Sequence, residues 1–238
     1  MTMQDIMIPA HSNRRKSALQ LEDMIGKFVL LTYFLWHLYN AGIATAVSVM
    51  QAQHDFMWWL SFISHITSVG FVAMIVGLTI TRNAPVDVAP GLEARFSAFM
   101  GTFILLTLMV VPHKPMGELQ MLIGTVCIII GTVSSIWCIK WLGRAFSVMA
   151  AARNLVTSGP YAHVRHPLYT AEAITVVGVI IINGTLLGLL IGALQFFFQY
   201  RRMVNEEIIL ASVHPSYAAY KATTPMVIPR IFGRAKTA

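Results

Sequence analysis

Charge is scarce in this sequence. Of 238 residues only 11% are charged, against roughly 25% in a soluble domain. With 56% hydrophobic residues and a mean hydropathy of +0.67, the chain reads as one integral membrane domain, not a water-soluble one. Cysteine is nearly absent too. Cys127 and Cys138 fall in one predicted helix, and eleven residues at the helical rise hold them about 16 Å apart, too far to bridge. No Cys-x-x-Cys or His-rich zinc spacing occurs, so no metal site is expected. The Gly-x-Gly-x-x-Gly pattern is missing, which disfavours a soluble Rossmann-type site. Nothing near Met1 combines a charged stretch, a short apolar core and a small-residue cleavage site, so a secretory leader is not expected.

What the chain has is long apolar runs, at about 28–50, 57–80, 96–111, 119–139, 169–182 and 185–200. The first, second and fourth are long enough to span, because about 20 helical residues cross about 30 Å of hydrocarbon. The third is short but extendable at its N-terminal end. The last two are shorter still and meet at Asn183-Gly184, a turn signal. The expected fold is therefore all-α and polytopic, with about four transmembrane helices followed by a C-terminal helical hairpin, five to six membrane segments in all. The hairpin is expected to lean on the fourth helix and shape a pocket. Residues 1–26, with Arg14-Arg15-Lys16, form a polar cytosolic arm ahead of a single domain at 27–238. The tail from His214 is expected to fold over the cytoplasmic face.

Sixteen of the seventeen Lys and Arg residues fall on the arm, the 81–95 loop, the 140–168 segment and the tail from Arg201; Lys114 alone falls opposite. Positive residues concentrate on the cytoplasmic side, which places both termini there. The formal net charge of +7 suits anionic lipid headgroups and carries no separate message about nucleic acid. A compact chain without an organelle retention signal suggests a bacterial inner membrane.

Two polar clusters interrupt the apolar pattern: TSGPYAHVRHPLY at 157–169 and RRMVNEE at 201–207. Polar groups beside hydrocarbon are costly, so they usually serve function. Gly159-Pro160 makes a turn, and Pro167 suits the first turn of the helix that follows. Arg165 can clamp a carboxylate or phosphate with two hydrogen bonds. His166 can donate hydrogen bonds or change charge near neutral pH. Tyr161 and Tyr169 offer aromatic faces with polar tips, and Glu206 or Glu207 can accept from an ammonium or a ribose hydroxyl. Such groups suit a zwitterionic, cationic cofactor with an adenine ring. Taken singly each has a plainer explanation: a basic edge binding lipid headgroups, or an Arg202–Glu206 pair on a solvated helix end.

The ordered set Gly159-Pro160-Tyr161, Arg165-His166-Pro167-x-Tyr169 and Arg202-x3-Glu206-Glu207-x2-Leu210, followed by Tyr217-x2-Tyr220, resembles the isoprenylcysteine carboxyl methyltransferase and phospholipid methyltransferase superfamily over about 120–230. The resemblance implies S-adenosylmethionine as cofactor and a lipophilic or membrane-delivered acceptor. It further implies that Tyr161, His166, Pro167, Tyr169, Glu206 and Glu207 hold the cofactor, while Arg165 or Arg202 orients the acceptor. The acceptor stays open between an isoprenylcysteine-like carboxylate, a phospholipid amine and a small thiol. Two other classes stay open beside it: a nicotinamide-dependent membrane reductase, since sterol reductases have a similar architecture though they run longer, and a non-enzymatic membrane protein.

Overall fold

A computed structural model of the chain describes residues 8–51, 54–109, 115–148 and 151–229, with side chains from residue 20 onward except at 109. The loop with Lys114, the basic side chains of residues 14–16 and the end of the tail lie outside the described residues. Among the described residues the regular structure is helical apart from one minimal ladder. Helix α1 spans Ile8–Met50, α2 Phe56–Thr81, α3 Leu92–Phe103, α4 Glu118–Leu142, α5 Pro167–Asn183, α6 Leu186–Val213 and α7 Tyr217–Thr223. Strands β1 (Asp87–Val88) and β2 (Ala151–Ala152) pair antiparallel, with Asp87 opposite Ala152.

The helix boundaries follow local chemistry. Asp55 caps α2 by accepting from the Trp58 backbone N–H at 2.7 Å. Pro167 opens α5, where a missing N–H costs nothing. The α5–α6 turn is closed by Gly184 in the left-handed region (φ 64°), then by Thr185, whose hydroxyl accepts from the Gly188 N–H at 3.0 Å.

α2 and α4 are long and apolar enough to cross a bilayer. Only 22% and 33% of their most apolar windows are buried, so most of that apolar surface faces outward, a large exposed patch of the kind that marks membrane contact. The third candidate run does not form one straight span. It divides into the twelve residues of α3 and a 3₁₀ turn at Ile104–Met109. The second hairpin arm runs past its apolar part, and α6 continues through 201–213. Arg201, Arg202, Glu206 and Glu207 are therefore side chains of one helix.

The hairpin leans on α4 through α5, as its short length required. Small residues allow the approach: a Cβ on Gly178 would come within 2.6 Å of the Gly124 carbonyl oxygen. α1 packs on α2, α2 on α4, and α3 on α6. A buried cluster of Leu30, Phe34, Val72, Ile75, Ile139 and Leu168 ties α1, α2, α4 and the start of α5 together.

Candidate functional site

The two polar clusters meet. Residues 159–162 form a 3₁₀ turn, the 163–166 connector leads into α5, and the polar end of α6 runs beside it. The tail closes over the connector by backbone pairing: the Arg165 N–H donates to the Pro225 carbonyl at 2.8 Å and the His166 N–H to that of Met226 at 3.0 Å. Tyr220 adds a hydroxyl bond to the Tyr161 carbonyl at 2.6 Å.

The two adjacent glutamates do different things, because neighbours on a helix point about 100° apart. Glu207 is buried in an ion cluster. Arg165 Nε donates to its Oε1 at 2.7 Å, His166 Nε2 lies 3.2 Å from the same oxygen, and Lys221 Nζ lies 2.9 Å from Oε2. Burial opposes its charge, yet hydrogen bonds from His166, Lys221 and Arg165 outweigh that and hold its carboxyl down at about 2. Arg165 is committed further, since its Nη1 donates to the Lys221 and Thr224 carbonyls. Glu206 faces the other way, accepting from the Tyr169 hydroxyl at 3.1 Å through Oε2.

Two neighbouring spaces share lining residues at this junction. The larger is a cavity of about 470 Å³, within the range of small-molecule sites. Tyr33, Phe34, Phe71 and Val72 make an apolar wall from α1 and α2, while His166, Tyr169, Glu172, Arg202 and Glu206 make a polar one. A smaller pocket of about 40 Å³ sits under Tyr217 and Tyr220. Tyr161, His166 and Glu206 line both. Burial pushes the phenols of Tyr161 and Tyr217 up, and that of Tyr220 up to about 12, so all three stay neutral donors.

Arg202 lies with its guanidinium carbon 5.2 Å from the Tyr169 ring centroid and donates to the Gly101 and Val148 carbonyls. Its Nε and the hydroxyls of Tyr161 and Tyr217 are buried without a partner. Such orphans are rare enough to need an explanation, and a polar ligand in the adjoining spaces supplies one. A cavity with an apolar wall, two carboxylates, a buried cation and unpartnered donors fits a molecule that is both zwitterionic and aromatic.

Of the sequence-derived set, Tyr161, His166, Tyr169, Arg202 and Glu206 line the larger cavity, Arg165 lines the smaller one, Glu207 lies behind them in the ion cluster, and Pro167 is buried at the start of α5. Sequence reasoning missed Glu172, which lines the cavity and accepts from Gln199 Nε2 at 3.1 Å. An acidic residue inside the apolar run 169–182 was the available signal. It also missed Lys221 as a partner of Glu207. His37, a polar residue in an apolar helix, lines the cavity, whereas Asn40 only donates to its own helix at the Trp36 carbonyl, 2.7 Å away.

Residues 119–216 match the phospholipid methyltransferase family model. A cobalt-zinc-cadmium resistance protein of Cupriavidus metallidurans is 32% identical over 48% of this chain and 50% of its own length. A nickel-cobalt-cadmium resistance protein of Alcaligenes xylosoxydans xylosoxydans is 29% identical over 46% and 49%. A protein-S-isoprenylcysteine O-methyltransferase of Schizosaccharomyces pombe is 34% identical over 37% and 41%. The matches thus span about half the length of these relatives or less. The family match covers α4 to the start of the tail, the part that builds most of the polar wall. Over that segment the chain is similar to the phospholipid methyltransferase family and to a protein-S-isoprenylcysteine O-methyltransferase.

Proposed function

We propose that the protein is an integral membrane methyltransferase that uses S-adenosylmethionine and acts on a lipophilic or membrane-delivered acceptor. The observation that carries this is the cavity shared between a polar wall, built by the family-matching segment, and an apolar wall from α1 and α2. When bound, S-adenosylmethionine supplies a methyl group already activated by its sulfonium for in-line displacement. The protein's part is placement and exclusion of water.

The division of labour follows from the free valences. Glu206 uses Oε2 on Tyr169, leaving Oε1 to accept from an ammonium or ribose hydroxyl. Tyr161 and His166 line both spaces, where the cofactor's polar end fits. Glu207 does not touch it; with Arg165 and Lys221 it fastens the tail over the site and fixes the His166 ring. Arg202 is the cation in the acceptor space, held against Tyr169 by stacking and two carbonyls, and its Nε is free to orient an anionic or carbonyl-bearing acceptor. The concentration of positive residues supports reading this polar end as cytoplasmic, and we infer a bacterial inner membrane as its location.

The acceptor is tested by labelled methyl transfer in proteoliposomes with prenylcysteine, phospholipid amine and small thiol acceptors. Methylation of a carboxylate gives a base-labile ester, and methylation of an amine or thiol gives base-stable product. Label entering none of these, with NADPH oxidation instead, would move the chain to the reductase class.

A further inference from the structure

A second site lies away from the larger cavity, between α1, the loop after α2, β1, the start of α3 and β2. It is a pocket of about 200 Å³, several times the ~30 Å³ that one water occupies. Ile25, Val88, Ala89 and Ala94 give it an apolar lining, and Arg82 and Arg153 give it charge.

Both arginines are almost fully buried, at 5% and 3% exposure. They share one carboxylate oxygen: Arg82 Nη2 and Arg153 Nη2 reach Asp23 Oδ1 at 2.7 and 3.1 Å. Lys27 lies 3.9 Å from the other oxygen of Asp23, and at the rim Arg95 is paired with Glu22 at 2.7 Å. The charged residues lining the pocket are three arginines against two acids. Arg82 Nε and Nη1 and Arg153 Nε have no hydrogen-bond partner. One aspartate between two buried guanidiniums leaves positive charge and donors uncompensated, which is costly unless something else supplies acceptors.

We propose that this pocket binds a phosphate group, with the two guanidiniums donating to its oxygens. Arginine suits phosphate because its planar fork makes paired hydrogen bonds. The apolar lining and the exposed Met24, Ile25 and Phe28 on the same stretch of α1 favour phosphate carried on a lipid, since basic pockets beside membrane helices hold such headgroups. Arg153 also lines the smaller pocket beside His166, so the headgroup site adjoins the candidate methyl-transfer site without sharing its acceptor wall.

Thermal unfolding of the delipidated full chain in detergent tests this, with dihexanoyl phosphatidic acid, inorganic phosphate and uncharged dihexanoylglycerol as probes. The phosphatidic acid should raise Tm saturably and the dihexanoylglycerol should not. A Gly26→Leu variant decides the site, because Gly26 lines the pocket and a Cβ there meets nothing within 4 Å. Its side chain fills the space, leaves every ion pair intact, and should abolish the shift. Arg153→Gln should weaken apparent affinity at least tenfold, and Asp23→Asn, which frees both guanidiniums, should not weaken it. An equal response to inorganic phosphate would assign the site to free phosphate instead of lipid. No saturable shift from either phosphate, an equal shift from dihexanoylglycerol, or an unchanged response in Gly26→Leu would overturn the proposal.

Discussion

Glu206 and Glu207 are chemically identical and adjacent, and their surroundings separate them. Glu207 is an anchor. Its carboxyl sits at about 2, well below the ordinary value of 4.5. A folded-state value below the unfolded one stabilises the fold above the unfolded value, and that contribution is lost as pH falls through the folded one. Wild-type Tm should therefore fall between about pH 4.5 and pH 2 partly through this residue. Glu207→Gln should remove that component of the pH dependence and, by leaving Arg165 buried without its anion, cost about 3 kcal/mol at neutral pH. Thermal unfolding across pH in both proteins checks this. Glu206→Gln keeps the shape and the Tyr169 contact, so it should leave Tm nearly unchanged while weakening S-adenosylmethionine binding about tenfold or more. The sequence carried both glutamates as cofactor candidates but could not divide their roles, because the division depends on Lys221 and the tail carbonyls, which only the fold brings near.

At the scale of elements, the α4–α5 pair holds the polar wall in register. Gly124 and Gly131 on one helix and Gly178 on the other let the backbones approach, and Glu172 and Tyr169 on α5 reach the cavity because of it. Gly178→Leu should push the helices apart, cost about 2 kcal/mol as overpacking, and weaken cofactor binding together with Tm. Gly192→Ala is no control, since its Cβ would meet Ile180, whereas Gly70→Ala meets open space and should change neither. The hairpin and its Asn183-Gly184 turn were legible in the sequence because turn chemistry is local. The break of the third run into α3 and a 3₁₀ turn was not, since uninterrupted apolar residues carry no mark of where a helix tightens. The Arg202–Glu206 spacing already suggested a helix end after Tyr200, whose Arg, Met and Glu residues are good helix formers, but the extent of α6 to Val213 was not legible.

For the whole molecule, the division of the chain matches the division of chemistry. The segment that matches the family supplies most of the polar wall, and α1 and α2, outside the matched residues, add Tyr33, Phe34, Phe71, Val72 and Ile75 to the apolar lining. Cofactor choice should thus be governed by α5 and α6, and acceptor choice by α1 and α2. Phe71→Ala or Phe34→Ala should alter the preference for acceptor chain length while leaving S-adenosylmethionine affinity within about twofold; competition among acceptors of graded length reads this out. The ordered motif made the resemblance to membrane methyltransferases legible in the sequence. The cavity's outer wall was not, because aromatic residues at helical spacing look the same whether they pack, face lipid or line a cavity.

Calorimetric titration of S-adenosylmethionine into the purified full chain in detergent, beside Glu206→Gln and with NADPH as a second ligand, separates a methyltransferase from a reductase. S-adenosylmethionine should bind saturably at one site, about tenfold or more weaker in a Glu206→Gln variant that unfolds at the wild-type temperature, and NADPH should give no heat. Binding of NADPH in its place, or equal S-adenosylmethionine binding by the variant, would contradict that prediction.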